Sequence, residues 1–108
     1  MKCVTMIYPN EPGATFNFDY YLNRHIPWAR KLTGDKGTEI RKGISTPTGS
    51  PVPYVCLCRF WISSEQEYQD VMARHGKELI RDIGNFTNIE PVIQIDELLL
   101  DTEMRAAA

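Results

Sequence analysis

The sequence predicts a single-domain α+β protein of the ferredoxin-like βαββαβ type, with a four-stranded antiparallel sheet and two helices on one face. Three observations predict this class. The chain has 108 residues, which is enough for one hydrophobic core. Four segments have the composition or alternation of strands, and two have the caps or spacing of helices. They follow in the order β-α-β-β-α-β within residues 1–100, and residues 101–108 are predicted to be a C-terminal tail.

The first half of the chain is predicted to contain a strand, a helix and a weaker strand. Lys2 to Tyr8 is a β-branched apolar run that stops at proline and glycine turn residues. Asn17 and Asp19 are both suitable N-caps for a helix that Gly34 ends. Gly37 to Thr46 is mostly polar with alternating isoleucines, which is typical of an edge strand. One face of the helix carries residues three and four positions apart: Phe18, Tyr21, Leu22, His25, Ala29 and Leu32.

The second half is predicted to contain a strand, a long helix and a last strand. Tyr54 to Ile62 is the clearest strand in the chain. Ser64, followed three residues later by a glutamate, forms a capping box for the second helix. This helix is predicted from Gln66 to Ile83, and we expect an interruption at Gly76. The last strand is predicted from Asn88 to Leu98, and the proline within it favours an edge position.

Composition excludes several classes of function. The chain has 12 basic and 14 acidic residues and no block of like charge, so we expect no binding to nucleic acid or to an anionic membrane. Its apolar stretches are far shorter than the roughly 20 residues that span a bilayer. The first residues lead directly into a strand, without an apolar signal region, so we expect a cytoplasmic protein. Three cysteines are an odd and sparse set, which indicates reduced thiols.

One strand predicts the oligomeric state, because side chains alternate between the two faces of a sheet. One set is Tyr54, Cys56, Cys58, Phe60 and Ile62, and the other is Val55, Leu57, Arg59 and Trp61. Both helices cover the same face of this fold, so Val55, Leu57 and Trp61 would form an apolar patch on the open face. Burying each such side chain contributes about 1.5–3 kcal/mol, and we predict a homodimer through this face and the last strand. The alternative is a monomer in which the apolar end of the last strand folds back onto its own helices.

His25 is the leading candidate for chemistry. It lies on the inward face of the first helix, one turn after Tyr21, so the two rings can stack or form a hydrogen bond. Pro27 has no N–H group, which leaves the Asn23 carbonyl without its helical donor and should loosen the helix beside His25. Such a histidine can act as a general acid or base, or it can be a buried neutral ring bonded to a backbone carbonyl. For His75 a position on the protein surface is favoured over one in a cavity.

Three polar or soft residues of the clearest strand are further candidates. Cys56 and Cys58 share a strand face, with sulfurs about 7 Å apart. A metal site would need two more ligands in good geometry, so we predict no metal and interpret the cysteines as small residues beneath the helices. Arg59 is a charge within an apolar strand. It either pairs with an acidic residue across the dimer, such as Asp96 or Glu90, or binds an anionic ligand.

At Asp19-Tyr20-Tyr21-x-x-x-His25-x-Pro27 the chain resembles the EthD family, named for ethyl tert-butyl ether degradation, within the dimeric α/β barrel superfamily. Residues 57–64, 82–88 and 90–95 agree with this likeness in the same order. The resemblance implies a ferredoxin-like protomer, a dimer built through the sheets and a small cavity between helices and sheet. It also identifies His25 as the recurrent helix histidine of the family, whereas Arg59 falls where relatives vary.

The resemblance implies an enzyme that needs no cofactor and acts on a small hydrophobic organic compound. Isomerase, lyase and monooxygenase-like reactions are all expected possibilities, in catabolism such as xenobiotic degradation or in secondary metabolism. We expect His25 to move a proton and Tyr21 to orient or polarise the substrate. The expected substrate-binding residues are Tyr54, Cys56, Cys58, Phe86 and, for an anionic group, Arg59. The alternative is a non-catalytic accessory protein that binds a hydrophobic metabolite.

Overall fold

The computed structural model, described here for residues 1–102, contains one antiparallel sheet of four strands with two helices on one face. The strands are β1 (Lys2–Pro9), β2 (Thr38–Lys42), β3 (Tyr54–Ile62) and β4 (Val92–Glu97). Their order across the sheet is β2-β3-β1-β4, so β1 and β3 are central and the other two are edges. The predicted βαββαβ fold is therefore confirmed.

The first helix has three consecutive parts, and the second is continuous. The first consists of Phe18–Tyr20, a π-helical turn at Tyr21–His25 and an α-helical part at Ile26–Thr33. Its cap is Asn17, whose side-chain oxygen accepts a hydrogen bond from the backbone N–H of Tyr20. The chain leaves this helix at Gly34, which has a left-handed backbone with φ of 60°.

The second helix, Glu65–Ile83, begins at the predicted cap. The Ser64 hydroxyl accepts a hydrogen bond from the backbone N–H of Glu67 at 3.0 Å. The expected interruption at Gly76 is wrong, because the helix continues through it. Gly76 is buried, and a Cβ there would lie 3.3 Å from Met72 Cε, so its small size serves close packing.

The edge strands β2 and β4 are also shorter than predicted, because each ends where its pairing with a central strand ends.

The core lies between the sheet and the helices. On the covered face, Tyr8 of β1 is opposite Cys56 of β3 in the sheet register, and Met6 is opposite Cys58. The buried centre of this core is an aromatic and aliphatic cluster: Tyr8, Tyr21, Cys56, Phe86 and Ile89. The first helix therefore brings Tyr21 directly against the middle of the sheet.

Replacing Tyr21 with alanine is expected to lower the free energy of unfolding by about 3–5 kcal/mol, which is the usual cost of deleting a large buried aromatic side chain. Tyr21 is only 1% exposed, and its ring centroid lies 4.7 Å from that of Phe86 and 5.0 Å from that of Phe16. Urea titration measures the change. Its neighbour Leu22 is 47% exposed, so Leu22→Ala should change the stability by no more than about 0.5 kcal/mol. Equal losses in the two variants would contradict the packing described here.

The opposite face of the sheet carries Val55, Leu57 and Trp61, and each of them is partly exposed in the protomer. Residues 98–102 run beside this face, where Leu98 and Leu100 line a shallow surface pocket with Trp61. Of the predicted tail, residues 103–108 lie outside the described residues. Neither helix within residues 1–102 combines the length and the apolar character needed to cross a bilayer.

Candidate functional site

A buried histidine–carboxylate pair joins the two helices. His25, at the end of the π-helical turn, is 7% exposed, and its Nδ1 lies 2.7 Å from Oδ2 of Asp82 in the last turn of the second helix. The ring is therefore held by a carboxylate and not by a backbone carbonyl. Within residues 1–102, Nε2 of His25 has no hydrogen-bond partner, so the second ring nitrogen is available to a ligand.

Asp82 is fixed by donors from three directions. The Tyr20 hydroxyl and the Asn85 side-chain amide each donate to Oδ1 at 2.8 Å, while Oδ2 contacts His25. Burial alone would raise the pKa of Asp82, but the hydrogen bonds from Asn85, His25 and Tyr20 outweigh it and lower the pKa. The carboxylate is therefore ionised at neutral pH and favours a proton on Nδ1 of His25.

The π-helical turn sets the position of His25. Its hydrogen bond runs from the Ile26 N–H to the Tyr21 carbonyl, five residues back. Pro27 follows directly, and because it has no N–H group it cannot make the bond that would continue a regular helix here. The predicted loosening beside His25 is therefore present, in the form of one wide turn.

Aromatic rings enclose the imidazole. The Tyr21 ring is nearly parallel to it, with centroids 5.8 Å apart and an angle of 12°. Phe86 packs at 4.7 Å and Trp28 at 5.8 Å, both tilted relative to the imidazole ring. This packing limits the rotation of His25, so the orientation set by Asp82 is kept.

A cavity of about 80 Å³ lies between the helices and the sheet, with His25 in its wall. That is more than the volume needed for one water molecule, roughly 10–15 Å³, and it suits a small molecule. The wall also includes Tyr8 and Tyr21, which belong to the aromatic core, and Cys58, which lies on the covered face of the sheet. Most of the wall is apolar: Met6, Ile26, Ala29, Phe60, Met72, Leu79, Ile80, Ile83 and Ile93.

The tyrosines and thiols of this wall are neutral at physiological pH. Burial raises the pKa of Cys58 to about 11 and that of Cys56 behind it to about 12. Burial and the adjacent Cys58 raise the pKa of Tyr21 as well. None of these groups is therefore a nucleophilic anion. The carboxylate of the wall, Asp35, is paired with Arg30 at 3.0 Å, which leaves His25 as the group suited to proton transfer.

The structure brings together only some of the predicted site residues. His25, Tyr21 and Cys58 line the cavity, as the substrate-site hypothesis requires. Cys56 and Phe86 are buried in the core behind it and do not line the cavity.

Tyr54 and Arg59 lie away from the cavity. Tyr54 is 44% exposed at the start of β3. Arg59 points to the open face because it alternates along β3 with the residues that face the helices. It is paired in register with Thr5 of β1 and Glu39 of β2. Its Nε is buried without a hydrogen-bond partner among the described residues. Asp96, a predicted partner of Arg59 across the dimer, accepts a hydrogen bond from the Thr5 hydroxyl within the protomer.

Sequence reasoning missed the partner of His25. Asp82 lies in the last turn of a helix, where a negative charge is unfavourable because of the helix dipole. An acidic residue at the end of a helix therefore indicates a role other than stabilising the helix, and this is the sequence signal that could have identified Asp82. Tyr20, which appears in the sequence only as part of the family motif, holds Asp82 through its hydroxyl.

No group of three or more histidine, cysteine or acidic side chains within residues 1–102 is arranged to hold a metal ion.

Comparison with known proteins agrees with the fold. The EthD domain model matches residues 14–90. The crystal structure of an EthD-like protein from Ralstonia eutropha JMP134 is similar, with 31% identity over 94% of this chain and 95% of that one, and a TM-score of 0.87. No significant match was found among curated proteins.

Two more distant structures share the fold. An ethyl tert-butyl ether degradation (EthD) family protein from Bacillus halodurans C-125 has 19% identity over 92% of this chain and 99% of that one, with a TM-score of 0.65. HapK from Hahella chejuensis has 11% identity over 92% and 93% of the two chains, with a TM-score of 0.63. The family match and the similarity to the Ralstonia protein confirm the resemblance found in the sequence, and this chain therefore belongs to the EthD family.

Proposed function

We propose that this protein is a cofactor-independent enzyme that moves a proton on a small hydrophobic organic compound, with His25 as the general base. The observation that supports this most directly is the His25–Asp82 pair in the wall of an apolar cavity. A histidine whose Nδ1–H is held by a carboxylate keeps the lone pair of Nε2 for proton abstraction.

Asp82 would contribute in two ways. Its hydrogen bond selects the tautomer of His25, and its charge stabilises the imidazolium that forms when the ring accepts a proton. The surrounding aromatic rings exclude water, so this electrostatic stabilisation is stronger than it would be in solvent. Proton transfer by one positioned side chain accelerates a reaction by about 10²–10⁴-fold.

The wall of the cavity indicates the class of substrate. Its mostly apolar surface would bind a small hydrophobic molecule, and the buried base would act on a weakly acidic C–H bond. Isomerase, lyase and monooxygenase-like reactions can all begin with this step, in catabolism or in secondary metabolism. Tyr21, parallel to the imidazole, would orient the substrate beside it.

The test is hydrogen–deuterium exchange at the α-carbon of a small ketone in D2O, followed by NMR. Cyclopentanone is a suitable probe because it is small, uncharged and mostly apolar. The proposal that the protein is an enzyme is supported if exchange is faster than in buffer alone and if this excess rate depends on His25. Its absence, with the ketone bound, would contradict it and favour a non-catalytic protein that binds a hydrophobic metabolite, for which the apolar wall alone is sufficient.

We also propose that two chains form a homodimer through the open sheet face, including Val55, Leu57 and Trp61, and the last strand. The support is that no helix covers this face within the described chain, although it carries these apolar side chains. Trp61→Glu would place a charge in this interface, and sedimentation should then show a monomer. Tyr54→Glu is the matched control, because Tyr54 is on the other side of the same strand and already exposed. An unchanged dimer in the Trp61 variant would refute this interface.

A further inference from the structure

Tyr8 carries a buried polar group that the fold does not use. It is 0% exposed, and its hydroxyl makes no hydrogen bond of regular distance and angle among residues 1–102. Leaving a buried hydroxyl unpaired is unfavourable, so such groups are rare in native proteins and indicate a ligand, a water molecule or a functional role. Tyr8 also lines the cavity that contains His25.

The packing of Tyr8 holds its ring firmly. It lies on the central strand β1, opposite Cys56 of β3. Its ring centroid is 5.2 Å from that of Phe16, 6.1 Å from that of Phe86 and 6.2 Å from that of Tyr21, all in edge-to-face geometry. A hydroxyl on a ring held in this way has a fixed position in the cavity wall and does not turn away to find water.

The same surroundings keep this hydroxyl protonated. Burial raises the pKa of Tyr8, and the neighbouring thiols of Cys58 and Cys56 raise it further. The Tyr21 hydroxyl lowers this pKa by a smaller amount, as a group that donates toward the Tyr8 oxygen does, so the proton of Tyr8 itself stays free to be donated. Tyr8 therefore offers a neutral O–H donor to whatever occupies the cavity.

The charges in the wall restrict the occupant further. Arg30 is the permanently charged cation among the described residues of the wall, and its Nε already donates to Oδ1 of Asp35 at 3.0 Å. Asp35 also accepts a hydrogen bond from the Thr38 hydroxyl, and its side chain is 2% exposed. Arg30 and His25 therefore each contact a carboxylate already, and an anionic ligand would meet no unpaired cation among the described residues of the wall.

We propose that the Tyr8 hydroxyl donates a hydrogen bond to the oxygen of an uncharged carbonyl compound, such as a ketone, ester or lactone, bound in this cavity. This rests on the proposed function in one respect, namely that the α-carbon of the same compound faces His25. The donor would stabilise the negative charge that develops on the oxygen when His25 removes the α-proton, so Tyr8 is a catalytic residue as well as a specificity residue. The step balances: the α C–H bond breaks and its proton binds to Nε2, the electron pair of that bond forms the C=C bond of the enolate, and the π pair of the carbonyl moves onto the oxygen.

The experiment compares Tyr8→Phe with the wild type and with Tyr68→Phe. Tyr68 is another tyrosine of the cavity wall, but its hydroxyl is not a buried group without a partner, so its variant is a matched control. The probes are cyclopentanone with a ¹³C-labelled carbonyl, cyclopentane and cyclopentanecarboxylate. The infrared C=O stretch of the bound ketone reports a hydrogen bond directly, and a change in packing alone would not reproduce its shift.

The ketone is expected to show a lowered C=O stretch in the wild type and in Tyr68→Phe, and to lose this shift in Tyr8→Phe. Its affinity should fall roughly 3- to 10-fold in Tyr8→Phe. Cyclopentane should bind this variant at least as well as the wild type, and the carboxylate should bind each protein more weakly than the ketone does. Tyr8→Phe should unfold at the same temperature as the wild type or higher, because it removes a buried hydroxyl that has no partner.

Three results would overturn the proposal: an unchanged C=O stretch in Tyr8→Phe, no binding of cyclopentanone to the wild type, or tighter binding of the carboxylate than of the ketone. His25→Gln separates this proposal from the proposed function. Suppose that His25→Gln binds the ketone with the lowered C=O stretch, and that the wild type catalyses no exchange. The proton-transfer proposal then fails, and the role of Tyr8 in binding stands. If the wild type catalyses exchange but Tyr8→Phe keeps the lowered stretch, the role of Tyr8 fails and the proton-transfer proposal stands.

Discussion

His25→Gln is expected to lower the rate of α-proton exchange on cyclopentanone by about 10²–10⁴-fold, which is the usual contribution of one positioned general base. Glutamine retains an N–H group that can donate to Asp82, so the contact between the two helices can persist. It has no basic nitrogen, however, and cannot accept the proton from the substrate. The measurement is the exchange rate by NMR at saturating ketone.

The chain contains a matched control for this variant. His75 also contacts a carboxylate through Nδ1, at 2.7 Å from Oε1 of Glu78, but it lies on the surface of the second helix and not in the cavity wall. His75→Gln should therefore leave the exchange rate unchanged. If both histidine variants retained the wild-type rate, or both lost it equally, His25 would not be the base.

Asp82→Asn is expected to lower the same rate by roughly 10- to 100-fold or more, because the partner that orients a functional histidine has an effect of this size. The asparagine can still form a hydrogen bond, but it no longer stabilises a positive charge on His25. Asp70→Asn is the control, since Asp70 is an exposed residue of the same helix that contacts only Gln66 among the hydrogen bonds described. Exchange that is insensitive to Asp82→Asn would show that the pair has no catalytic role.

The same substitution should change how stability depends on acid. The pKa of Asp82 is lower in the folded protein than the usual value, so the unfolded chain binds the proton more readily. Its contribution to stability is thus present above the usual carboxyl pKa, near 3.9, and is lost as the pH falls through the lower folded value. Urea titrations between pH 3 and 6 should show a smaller loss on acidification in Asp82→Asn than in the wild type.

Most of the fold could be predicted from local patterns. The cap at Ser64, the left-handed Gly34 and the alternation along β3 each depend on neighbouring residues only, and the structure contains all three. The errors arose where distant parts of the chain decide the outcome. Gly76 remains helical because tertiary packing holds it, and β4 ends at Glu97 because its pairing with β1 ends there.

The candidate site was predictable in part. His25 was identified because Pro27 disturbs the helix beside it, and this is a local signal. Asp82 lies 57 residues further along the chain, and only the packing of the two helices brings it to the histidine. Tyr8 is predicted only as the end of the first strand, and the lack of a regular hydrogen bond at its buried hydroxyl is a property of the folded surroundings that has no sequence pattern.

The wide turn at Tyr21–His25 also has an evolutionary consequence. A π-helical turn, with its hydrogen bond to the fifth residue back, holds one more residue than an α-helical turn and is therefore equivalent to a single residue inserted into the helix. Because successive helical residues are about 100° apart, losing that residue would rotate one part of the helix against the other. The sheet and both helices would survive, but the helix before the turn and the helix after it could no longer both keep their present faces toward the sheet and Asp82. A one-codon insertion or deletion could therefore create or abolish the proposed pairing of His25 with Asp82 without altering the fold.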